Sequence, residues 1–168
     1  MADLTKEQHI ENINKVIEGV KYAMMTTITA DEKHLHACPM TTNKNELENG
    51  KIWFIGDRKS ETIKDLEKNS QVNLSYTSSD QKDFVSINGT AKLVNDKAKL
   101  DELWSPIYAA FYEKGKEDPN VQVICIECNG AQYWLSGNTV VDMFKMVSAA
   151  VQEGKTAENM GENHSVTF

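Results

Sequence analysis

Short segments rich in β-branched and aromatic residues recur along this chain, and polar turns, not helices, separate most of them. Residues 22–29 and 35–40 flank the polar turn at 31–33 and predict a hairpin. Residues 43–50 form a polar turn ending in Asn49-Gly50, which leads into a strand at 51–55. Further strands are predicted at 72–77 and 84–94, the second interrupted by Asn88-Gly89 as a bulge or bend. Residues 121–128 and 132–135 predict a hairpin around Asn129-Gly130, and 162–168 either adds an edge strand or frays. About six or seven strands without sustained βαβ alternation predict an α+β fold with an antiparallel sheet, not a doubly wound parallel one.

The helical segments are few. Thr5 and Gln8 form a capping-box pattern ahead of Ile10, Ile13, Val16, Ile17 and Val20, which recur at helical spacing. Ser60 caps a short helix over 61–68, with Ile63 and Leu66 three apart. Asp96 caps another that runs through Leu100, Leu103 and Trp104 to Pro106, with a second piece at 107–112. Met143, Phe144, Met146, Val147, Ala150 and Val151 make a last helical stripe. The chain has 168 residues, enough for one core, so residues 1–168 are expected to form a single domain.

Charge and composition narrow the partners. With 25 acidic against 18 basic residues the formal charge is −7, so a nucleic-acid or anionic-membrane surface would oppose the overall field, and neither partner is expected. An anionic small molecule needs only a few local donors and is compatible with that charge. No apolar run approaches the ~20 residues that span a bilayer, and the first residues lack the basic-then-apolar order of a signal peptide. A cytoplasmic location is therefore expected. Three cysteines, Cys38, Cys125 and Cys128, are too few for a disulfide framework. Cys125 and Cys128 sit three apart on a strand, so their thiols should point to opposite faces and pack independently.

The segment Trp53-Phe-Ile-Gly-Asp-Arg-Lys-Ser60 carries the most suggestive local chemistry. A strand ends in a turn and feeds directly into a helix, so Ser60 and the first helical N–H groups present the positive end of the helix dipole beside Arg58 and Lys59. That arrangement suits a monophosphate; the bland alternative is an ordinary N-cap with two solvated bases. Trp53, Trp104 and the Met143/Met146 stripe read as core. His34 and His36 share a strand face, the minimum for a metal pair, but no third ligand follows from the spacing, and exposed or capping histidines are the better reading. No residue stands out as an obligatory general acid or base.

His36-Ala-Cys-Pro-Met40, Trp53-Phe-Ile-Gly56, Ser60 with its helix, Gln71-Val-Asn-Leu-Ser-Tyr76, Val85-Ser-Ile-Asn-Gly-Thr-Ala91, Leu103-Trp-Ser-Pro106, Gly115-Lys-Glu-Asp-Pro119 and Tyr133-Trp134 occur in order. In this the chain resembles the pyridoxamine 5′-phosphate oxidase-like general stress proteins over roughly residues 5 to 136. The resemblance implies a split β-barrel that binds flavin mononucleotide (FMN) in a cleft between two subunits of a homodimer. It assigns Pro39 and Met40 to the flavin ring, Phe54, Ile55 and Gly56 to backbone contacts, and Ser60 and Thr62 to the phosphate, with Trp134 approaching from the partner. Relatives usually carry Arg where this chain has Cys38, and often Lys where it has Thr62, leaving Arg58 and Lys59 to compensate. The function so implied is FMN-dependent oxidoreductase chemistry; the alternatives are a non-catalytic flavin-binding protein and a dimeric scaffold of the same fold.

Overall fold

The computed structural model of the protein describes residues 4–42, 47–136 and 162–168. Helix α1 (Lys6–Ile17) opens on the predicted capping box: the Gln8 N–H donates to the Thr5 hydroxyl and the Thr5 N–H to the Gln8 side chain. Its Ile13, Val16 and Ile17 are buried against the sheet. Seven strands form one antiparallel sheet in which neighbours run in the order β2 (Leu35–Thr41), β1 (Tyr22–Ile28), β4 (Gln71–Thr77), β5 (Phe84–Val94), β6 (Val121–Leu135) and β3 (Lys51–Asp57). The last strand, β7 (Glu162–Thr167), pairs with β6, so the final residues add an edge strand. The Met143–Val151 stripe lies outside the described residues.

One expectation is overturned by β6. Residues 121–135 do not turn back at Asn129-Gly130 but continue as one strand, paired with β5 along its length. On its other side β6 pairs with β3 over 121–127 and with β7 over 130–135. Asn88 faces Gly130 and Gly89 faces Cys128, which leaves Asn129 as the extra residue of a β-bulge. The glycines serve close approach here, not chain reversal. A Cβ on Gly89 would lie 2.7 Å from the Glu127 carbonyl oxygen, and one on Gly130 2.9 Å from that of Val166. By contrast Asn49 and Gly50, with φ of 52° and 72°, do make the tight turn expected of an Asn-Gly pair.

The bulge also explains how β6 faces the core at both ends. Ile124, Ile126 and Cys128 share one side of the pleat; after Asn129 the parity changes, and Ala131 and Tyr133 take over the same side. They join Met25, Phe54, Leu74, Tyr76 and Ile87 in the main core. A second cluster covers the outer face of β3 and the start of β6: Ile55, Val121 and Val123 pack with Leu103, Tyr108 and Tyr112, and Trp53 and Trp104 adjoin them. Helix α3 (Lys97–Leu103), capped by Asp96, supplies part of that cover. The piece expected as helix at 107–112 is instead a 3-10 turn, Pro106–Ala110. Cys125 and Cys128 are both free and buried, and burial pushes the Cys128 thiol up to about 12.

The sheet's two terminal strands, β2 and β3, approach each other without pairing, so the barrel is split along this line. Helix α2 (Glu61–Lys68) follows β3 after three turn residues and packs against β1 and β5 beside that opening. Among the described residues no helix is long and apolar enough to cross a membrane.

Candidate functional site

Where the barrel is split, the ends of β2 and β3, the first turn of α2 and the 3-10 turn enclose a cleft of about 620 Å³. That volume falls in the usual range of small-molecule sites. Met40 and Gly56 face each other across the opening. A Cβ on Gly56 would meet the Ile124 Cδ1 at 3.1 Å, the Ile63 Cδ1 at 3.5 Å and the Met40 Cε at 3.7 Å, so the missing side chain keeps the cleft floor open. On the opposite wall stand Tyr108, Phe111 and Tyr112, with Phe111 strongly exposed. Burial pushes both tyrosines up to about 12, so they line the cleft as neutral phenols.

Ser60 terminates the turn after β3 and caps α2, its hydroxyl accepting the Ile63 N–H at 3.3 Å. A helix leaves its first N–H groups without intrahelical partners. Here the cap satisfies that of Ile63, and Ser60, Glu61 and Thr62 all line the cleft wall.

Two rungs join β2 to α2. His36 and Cys38 are two apart on the strand and share a face; Thr62 and Asp65 are three apart on the helix and do the same. Cys38 Sγ lies 2.9 Å from Thr62 Oγ1, and His36 Nδ1 lies 2.9 Å from Asp65 Oδ2. Asp65 is almost wholly buried, and its carboxylate also accepts from the Thr27 hydroxyl at 2.8 Å and the Ala30 N–H at 2.9 Å. Desolvation alone would raise this carboxyl. The bonds from His36, Thr27 and Ala30 outweigh it and hold Asp65 below the usual carboxylate range.

Of the residues nominated from sequence, Cys38, Pro39, Met40, Ile55, Gly56, Ser60 and Thr62 meet at the cleft. Phe54 turns its side chain into the main core. Arg58 is turned away, donating to Asn95 Oδ1 at 2.9 Å and to the Val121 carbonyl at 3.3 Å, so it does not stand beside Ser60 as a free cation. Lys59 is exposed and outside the cleft lining. Trp134 is partly exposed on β6, away from the cleft of its own chain. Among the described residues no Lys or Arg lines the cleft, whereas Asp57 and Glu61 do. Asp65 escaped the sequence reading although it carries a signal, a carboxylate within the apolar stripe of Ile63 and Leu66. The aromatic wall had none, because a chain connection placed it.

A family model described as pyridoxamine 5′-phosphate oxidase like matches residues 8–157. The chain belongs to that family. Among other pyridoxamine 5′-phosphate oxidase-like relatives, it is 32% identical to the general stress FMN/FAD binding protein of Xanthomonas citri, whose solved structure superposes with a TM-score of 0.65 over 78% of this chain and 90% of that one. General stress protein 26 of Bacillus anthracis has the same fold at 23% identity, with a TM-score of 0.64 over 74% of this chain and 92% of that one. Protein bli-3 of Neurospora crassa is 26% identical over 164 residues, 93% of this chain and 78% of that protein. These likenesses bear out the split barrel and place the chain on the general-stress branch of the pyridoxamine 5′-phosphate oxidase-like family.

Proposed function

We propose that the chain binds FMN in the cleft between β2 and β3 and serves as a flavin-dependent redox protein. The observation that carries this reading is the convergence at one opening of Pro39 and Met40, Ile55 and Gly56, and Ser60 and Thr62, which lie on three separate elements. The cleft suits the two ends of such a ligand differently. Its middle is apolar, formed by Pro39, Met40 and Ile55, with space at Gly56 that any side chain would fill. Its end offers the Ser60 and Thr62 hydroxyls and the start of α2 to a phosphate. When bound, the flavin would supply the electron or hydride transfer; the protein's part is to orient it and shape its surroundings.

A homodimer is part of the same reading. Tyr22, Met24, Phe84 and Trp134 are large apolar side chains exposed on the sheet strands, and Phe84 lies directly beside Trp134 in the β5–β6 register. Covering them would remove apolar surface from water. It would also let Trp134 reach a partner's cleft, since it does not line its own. Sedimentation should then give a dimer at micromolar concentration; a persistent ~19 kDa monomer would contradict it.

The visible spectrum of the purified protein before and after mixing with FMN tests the flavin reading directly. Bound flavin should shift and structure the absorption band; an unperturbed spectrum at saturating FMN would remove it. A scaffold or flavin-binding role without catalysis is favoured by one observation: where relatives usually hold cations, Cys38 and Thr62 bond each other. Turnover by the loaded protein with a reductant separates the two readings.

A further inference from the structure

Among the described residues the cleft is lined by two carboxyl side chains, Asp57 and Glu61, and by no Lys or Arg. The described lining nevertheless includes a group able to gain positive charge, His36, whose side chain is about one-third exposed. Its Nδ1 is held at 2.9 Å by Asp65, which is also tied to Thr27 and Ala30 and so has no freedom to turn away. A carboxylate only accepts hydrogen bonds, so the Nδ1 facing it carries the proton. Neutral His36 therefore offers a lone pair at Nε2, which repels an anion. Protonated His36 offers a donor and a charge at the same atom.

We propose that His36, fixed by Asp65, is the residue through which this cleft recognises the anionic group of a phosphate-bearing ligand, in place of the constant cations usual among its relatives. This rests on the reading of the cleft as a flavin site. His36 lies two residues along β2 from Cys38, about 7 Å at strand spacing, and Cys38 touches Thr62 in the first turn of α2. The imidazole thus stands one strand repeat from the hydroxyls that would hold a phosphate. The other titratable groups around it are Cys38 on its own strand, Asp65 and Glu61 on α2, Asp57 at the end of β3, and Tyr22, Tyr108 and Tyr112 on the cleft walls. His34 and Asp31 occupy the preceding turn, where Asp31 is held by the Thr29 hydroxyl and the Lys33 N–H. Protonation would turn the Nε2 lone pair into a charged donor, so anion affinity should be greater at lower pH.

The test measures FMN and riboflavin binding at pH 8 and pH 6 for the native protein and for His36→Gln, which keeps polarity and removes titration. Phosphate monoesters themselves take up a proton near pH 6, so the decisive quantity is the difference between the two proteins. The native protein should improve its FMN-over-riboflavin preference about tenfold more than the variant between the two pH values, the scale of one charge-assisted hydrogen bond. Equal changes in both proteins would overturn the proposal. If neither flavin binds, the flavin reading falls, and the His36 assignment is judged by NMR of its ring in saturating inorganic phosphate. An upward move of its titration midpoint supports the assignment; an unchanged midpoint refutes it.

Discussion

The two rungs between β2 and α2 share a backbone arrangement and differ in everything else. The Cys38–Thr62 pair is neutral, opens to the cleft and ends in a single contact. The His36–Asp65 pair ends in a buried carboxylate that accepts from three partners. One rung can be altered with little effect on the fold, because it is a single contact between a thiol and a hydroxyl at the cleft wall. The other cannot, since a change at Asp65 removes at once the acceptor shared by the buried Thr27 hydroxyl, the Ala30 N–H and the His36 ring. The two rungs thus differ in how firmly they are anchored, although His36 and Cys38 both line the cleft.

Asp65→Ala should be the most damaging single change. It takes an acceptor from the buried Thr27 hydroxyl, the Ala30 N–H and the His36 ring, and should cost about 2–3 kcal/mol, read as a lowered urea midpoint. A cost below about 1 kcal/mol would mean that the two rungs are alike. The same contrast has a pH signature. The folded Asp65 carboxyl lies below its unfolded value, so its contribution is present above about pH 4 and is lost as pH falls through the folded value. In Asp65→Asn the acid limb of stability should flatten; an unchanged limb would place the titrating group elsewhere.

Ser60→Ala should weaken FMN binding by ~1.5–3 kcal/mol while sparing riboflavin, with an accompanying loss of about 1 kcal/mol of stability from the cap. Equal loss for both flavins would move the phosphate away from this turn. On the neutral rung, Cys38→Arg combined with Thr62→Lys should tighten FMN by a few kcal/mol at low salt and less at high salt. A calorimetric titration that shows no gain would mean that the cleft does not hold the phosphate there. Cys38→Ser retains a partner for Thr62 and should stay within about 0.5 kcal/mol of the native stability.

Sequence revealed the elements whose signals are local. The capping box, the parity of Cys125 and Cys128 and the strand–turn–helix at Ser60 all follow from spacing within a few residues. Three Asn-Gly pairs mark the limit of such reasoning. Asn49-Gly50 makes a turn, whereas Asn88-Gly89 and Asn129-Gly130 lie side by side in adjacent strands, their glycines required by backbone atoms from distant parts of the chain. The same dipeptide thus has two meanings, separated only by tertiary contact. Arg58 illustrates this at the site: its neighbourhood in sequence suggested a phosphate cation, yet Asn95 and the Val121 carbonyl, far along the chain, claim its guanidinium.

The extra residue at Asn129 makes β6 a strand with a built-in phase change. Upstream, even-numbered side chains enter the barrel; downstream, odd-numbered ones do. Deleting Asn129 would leave plain alternation from Cys128 onward, with Ala131 and Tyr133 still facing the barrel and opposite the same residues of β5. The extra residue is slack in the strand: it renumbers the inward positions without changing which surface the chain shows to the outside, and its removal should be tolerated better than a single deletion among the regularly paired residues 131–134, which would turn the later side chains over.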